Sequence, residues 1–187
     1  MKKANTQRMV GLAIMTALIV ILQALALLIP VKPFTLTLSL IPIVIGAALY
    51  GTGGGAWLGF VFGAMTLLDA GAFLAVSIPG TILTVLVKGT ACGFAAGLAY
   101  RLLAKINDVF AVAVAAVVCP CVNTGLFLVG CKLFFMPTIT EWASGSTFAS
   151  VGAFLILGMI GINFLIEMAI NVVLSPAVVR IIHVRKK

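Results

Sequence analysis

Few polar side chains stand out inside the apolar runs of this 187-residue chain, among them Lys88, Asn123, Asn163, Glu167 and Asn171. A charge at bilayer depth costs about 2.5–3.5 kcal/mol on insertion scales. Such groups therefore turn toward a bundle interior, pair with one another or line a solute path. Asn163, Glu167 and Asn171 recur every four residues, which puts them on one face of a helix. Two compatible readings follow. Lys88 and Glu167 could form a buried pair that joins two helices, or they could line a solute site with Asn123 and Asn163. Phe34 and Trp142, on connecting segments, could cover such a site from outside; the alternative for both is an anchor at the membrane interface.

Other chemistry finds little support. Gly51-Thr-Gly-Gly-Gly55 is no phosphate-binding loop, because no Gly-Lys-Ser/Thr follows it, and no His-Glu-x-x-His motif occurs. Four acidic residues in total leave little for acid–base work. We therefore expect no enzyme. Cys119-Pro120-Cys121 could hold a soft metal, yet the single histidine lies at the basic C-terminal end and no nucleotide domain accompanies the motif. No metal is expected, and the role expected of Pro120 is to kink its helix. Cys92, Cys119, Cys121 and Cys131 all lie in or beside apolar runs, which argues against a secreted disulfide framework.

These polar residues must be positioned by membrane helices. The chain is 63% hydrophobic and 9% charged, with a mean hydropathy of +1.30, whereas about a quarter of a soluble domain is charged. The expected fold class is all-α: a polytopic membrane protein of six transmembrane helices, forming one transmembrane domain over residues 1–187. Apolar runs place the spans at about 8–29, 36–50, 56–68, 78–103, 109–135 and 148–182. The first is read as a retained helix rather than a cleaved leader, and Pro30 and Pro33 end it. Gly51–Gly55 supplies a tight turn between the short second and third spans, for which a re-entrant hairpin is the alternative. Residues 136–147, with Glu141 and Trp142, form the longest outer loop.

The net charge of +8 does not point to nucleic acid, because the basic residues are not gathered on one face. With the N-terminus inside, Lys2, Lys3, Arg8, Arg101, Lys105, Arg180, Arg185, Lys186 and Lys187 lie on the cytoplasmic side, against Lys32 and Lys132 outside. That bias puts both termini in the cytoplasm. Small residues repeat every four at Ala13/Ala17, Gly55/Gly59/Gly63 and Gly89/Gly93/Gly97, which lets helices approach closely. Packing inside the bundle is the expectation for the two glycine series.

The size, the six spans, Ala13-x-x-x-Ala17, Thr35-Leu-Thr-Leu-Ser-Leu-Ile-Pro42, Ile45-Gly-Ala-Ala-Leu-Tyr-Gly51, Pro79-Gly-Thr-Ile-Leu and Asn123-Thr-Gly-Leu-Phe127 together resemble the substrate-binding subunits, or S components, of energy-coupling factor (ECF) vitamin transporters. The run from Leu38 to Gly63 carries most of the likeness. The resemblance implies a bacterial cytoplasmic-membrane subunit that binds a vitamin or related micronutrient in an outward-facing pocket. The pocket would lie at the outer ends of helices four to six, under the loop between helices one and two. It further implies that the Ala13/Ala17 face docks on a membrane scaffold subunit, that two cytoplasmic ATPases hydrolyse the ATP, and that this chain has no cofactor of its own. Lys88 would suit a carboxylate-bearing solute such as pantothenate, folate or a nicotinate-like molecule, unless Glu167 neutralises it. The few aromatic residues expected at the site argue against a large flat ring. Two alternatives stay open: a stand-alone proton-coupled transporter with Glu167 as proton carrier, and a membrane assembly protein without a solute.

Overall fold

The computed structural model describes residues 2–28 and 38–186, and within them the side chains of 6–28, 38–161 and 164–182. No strand occurs among the described residues. The elements are α1 (Lys2–Leu28), α2 (Leu40–Thr66), α3 (Gly71–Val76), α4 (Ile78–Leu103), α5 (Asp108–Gly130), α6 (Met136–Ser144), α7 (Val151–Ala153) and α8 (Gly161–Lys186). A π-helical turn, Cys131–Phe135, joins α5 to α6, and another, Phe154–Ile160, precedes α8. Five helical stretches among the described residues are long and apolar enough to cross a membrane. Many large apolar side chains, such as Ile14, Leu83, Phe94 and Val173, point outward. That surface suits a protein solvated by lipid tails rather than water.

The second of these stretches is folded on itself. Gly51 takes φ 77° and ψ −173°, a region that essentially only glycine visits. A Cβ on Gly55 would lie 2.8 Å from that of Ala47, eight residues earlier. In an unbroken helix those positions stand about 12 Å apart. Gly46 likewise packs against Leu58. Residues 40–50 and 52–66 are thus two limbs of a hairpin, and the turn needs one residue. The sequence suggested a turn spread over Gly51–Gly55, but residues 52–55 belong to the second limb, where Gly54 and Gly55 serve packing instead.

α4 is the central helix and packs on α2, α3 and α5. Its contact with the second limb of α2 is glycine against backbone: Gly55 faces the carbonyl of Gly93, Gly59 that of Gly89, and Gly63 that of Val85. The two glycine series therefore pack on each other inside the bundle, as the sequence suggested. α1 lies along the hairpin. Arg8 Nη2 donates to the carbonyl of Tyr50 at 2.8 Å, Trp57 Nε1 donates to Thr16 Oγ1 at 3.2 Å, and Ser39 Oγ donates to Gln23 Oε1 at 3.0 Å. The hairpin thus occupies the depth between Gln23 and Arg8, about 22 Å along α1.

Local signals set the other boundaries. Ser77 caps α4 by accepting from the N–H of Gly80, with a proline in the first turn. Asn107 caps α5 by accepting from Val109 and Phe110; such a cap contributes about 1 kcal/mol. The expected outer loop at 136–147 is mostly helix α6. The π turn at Cys131–Phe135 leads into it through Phe135, whose φ of −125° and ψ of 1° depart from helical values. The sixth expected span is interrupted at Gly161, whose φ of 30° separates the second π turn from α8.

Candidate functional site

The larger apolar cluster runs through the hairpin, α4, α5 and the C-terminal part of α8, from Ile43 and Leu58 to Val112 and Ile182. A smaller one gathers Cys131, Phe135 and Ile139 with Phe73, Phe127 and Trp142 packed against them. Where the two part, a cavity of about 170 Å³ opens. Phe62 of the first cluster forms one wall, and Phe127 and Met159 from the flank of the second form another.

Three of the polar residues singled out in the sequence converge here. Lys88 reaches the cavity from α4, Asn123 from α5 and Glu167 from α8. Lys88 Nζ stands 5.0 Å from the ring centroid of Phe127. A cation–π contact contributes about 0.5–2 kcal/mol, less than the 2.5–3.5 kcal/mol that a buried cation costs. The ring alone thus does not offset the burial of a charged lysine, and Glu167 lines the same space. Asn123 and Glu167 are both buried. Asn123 Oδ1 has no hydrogen-bond partner among the described residues. One turn below Glu167, Asn171 Nδ2 donates back to its carbonyl at 2.9 Å, so Asn171 continues the polar face of α8 without lining the cavity.

The remaining expected residues fall differently. Trp142 is not in the cavity wall. It packs edge-on against Phe73 with centroids 5.7 Å apart, and Phe73 packs against Phe127 at 5.8 Å and Phe135 at 5.0 Å. Trp142 is one ring removed from the site, on the outer side of its aromatic wall. Phe34 lies outside the described residues, and so does the side chain of Asn163. Ala13 and Ala17 are both exposed on α1, flanked by exposed Val10, Ile14, Leu18 and Ile21. Cys119 is buried and Cys121 exposed, so the two thiols of the Cys-Pro-Cys run leave α5 on different sides.

Several wall residues were not anticipated from the sequence. Gln23 enters from α1, Thr66 and Asp69 from the end of α2 and the segment after it, and Thr124 from α5. Gln23 did carry a signal, as a lone amide within an apolar span. Phe127 carried another, one helical turn beyond Asn123. Phe164 and Ile160 reach the wall because the chain breaks at Gly161, which nothing in the spacing announces. With Phe62, Phe127 and Phe164 in the wall, the expectation of a site poor in aromatic residues is corrected.

The described residues offer one cation, two carboxylates and several amides and hydroxyls among aromatic faces, inside an apolar bundle. No curated protein and no solved structure matches the chain. The family model for the ECF transporter, substrate-specific component, matches residues 7–179. The chain belongs to that family of membrane-embedded substrate-binding transporter subunits.

Proposed function

We propose that this chain is a single transmembrane substrate-binding domain that captures a vitamin or related micronutrient from outside a bacterial cell. It hands the solute to a membrane scaffold subunit driven by two cytoplasmic ATPases, which hydrolyse the ATP. In this reading the hairpin limbs count as one crossing each. The chain then crosses the cytoplasmic membrane six times and both termini lie inside. The distribution of lysine and arginine supports this orientation, as does the position of the Gly51 turn. That turn sits level with Arg8 on α1 and Gly97 on α4, toward the ends where the basic residues concentrate.

The observation that carries the reading is the convergence of Lys88, Asn123 and Glu167 from three helices on one cavity walled by phenylalanines. These residues form the solute site. Asn163, one turn before Glu167, and Phe34, on the segment after α1, are assigned to its rim, and Trp142 braces its outer wall through Phe73. The exposed Ala13/Ala17 strip is the docking face for the scaffold, because small residues let a partner helix approach closely in lipid.

Transport in proteoliposomes tests the assignment. The chain alone should bind solute without accumulating it. The chain reconstituted with its scaffold subunit and ATPases should accumulate it when ATP is supplied. Accumulation by the chain alone under a proton gradient would instead make it a secondary transporter.

A further inference from the structure

The walls of the cavity differ in chemistry, and the difference selects a ligand. Among the described residues Lys88 is its one cation, held over the ring of Phe127. Asn123 is 8% exposed, and its Oδ1 is a buried acceptor with no partner among the described residues. Glu167 and Asp69 add carboxylates to the same lining, one deep and buried, the other at the exposed edge. Gln23 has its carbonyl oxygen engaged by Ser39, which turns the amide's donating end to other partners. A buried acceptor left unmatched costs about 1–3 kcal/mol, so the site favours a ligand that donates to it.

A simple monoanion satisfies Lys88 but brings a third negative group beside Glu167 and Asp69 and leaves Asn123 unmatched. A simple cation satisfies the carboxylates and is repelled by Lys88. Size restricts the choice further. At about 170 Å³, the cavity is smaller than the roughly 300–1,000 Å³ of sites that enclose drug-sized ligands.

We infer that the solute is a short-chain or single-ring molecule with an anionic group at one end, for Lys88, and O–H or N–H donors at the other, for Asn123 and the carboxylates. This deepens the proposed function and rests on it. It sets aside fused-ring vitamins, purely cationic ones, and carboxylates without donors.

The test is a thermal-shift screen of the purified full-length chain against water-soluble vitamins and their precursors, followed by titration calorimetry. The screen should contain four chemical sets: small anions with donors (pantothenate), small anions without them (nicotinate), cations (thiamin), and large fused-ring anions (folate). The strongest stabiliser should come from the first set. Asn123→Leu and Lys88→Met should each weaken it ten- to a hundredfold. Preferential binding of a member of any other set overturns this inference while leaving the binding function intact. Absence of binding by every compound contradicts both the inference and the function beneath it. The wild-type ranking decides the matter even if a variant fails to fold.

Discussion

Lys88 and Glu167 both bring formal charge to the bundle's cavity from transmembrane helices, and their relation to each other decides what the site is. If both serve the solute, Lys88→Met removes a charge-assisted interaction of about 1.5–3 kcal/mol. Solute affinity should then fall roughly ten- to a hundredfold, while the variant still inserts and purifies folded. If the two residues only hold α4 and α8 together, the single variant leaves Glu167 buried without its counter-charge and lowers the melting temperature. Lys88→Met combined with Glu167→Gln would then restore stability. Affinity and melting temperature measured on both singles and the double separate these cases. Unchanged affinity throughout, with stability recovered in the double, would remove the binding role. The sequence exposed Lys88, Asn123 and Glu167 because a polar residue in an apolar run has few reasons to be there. It concealed Phe62 and Phe164, since one phenylalanine among many apolar neighbours carries no mark of facing a cavity.

The glycine seam between α2 and α4 governs stability among the elements. A Cβ on Gly59 would meet the carbonyl of Gly89, a backbone group that cannot swing aside. Gly59→Ala should destabilise the protein by about 1–3 kcal/mol through overpacking. Gly53 lies in the same limb with open space where its Cβ would be. There the alanine should be neutral or should stabilise by up to about 1 kcal/mol through helix propensity. Melting temperatures of the two variants in one detergent make the comparison, and an equal effect at both sites would contradict the seam. Both glycine series were legible as packing faces from their four-residue repeat. The single-residue turn at Gly51 was not, because five consecutive small residues offered the turn several positions. Only the fit of Gly55 against Ala47 on one side and Gly93 on the other selects among them. The π turns at Cys131–Phe135 and Phe154–Ile160 were equally hidden, since an extra residue in a helical turn leaves no periodic signature in a run so largely apolar.

In the proposed function, binding and partner docking use different surfaces of the whole molecule. The cavity is walled mainly by α2, α4, α5 and α8, with Gln23 as the contribution from α1, whereas Ala13 and Ala17 lie on the exposed side of α1. Ala13→Trp or Ala17→Trp should therefore abolish ATP-driven uptake and leave the affinity of the isolated chain for its solute within about twofold, in keeping with the near-independence of distant sites. A joint loss of binding and uptake would show that the strip packs within the bundle. The account as a whole stands on the chain holding a small solute by itself. The most direct measurement is mass spectrometry of what the purified full-length chain releases on denaturation, after expression in cells supplied with vitamins. We predict one small water-soluble solute at near-stoichiometric amount from the wild type, and its loss from Asn123→Leu protein that melts as a folded species. Equal release from wild type and folded Asn123→Leu, or an empty wild type that also fails to bind any compound offered to it, would contradict the account.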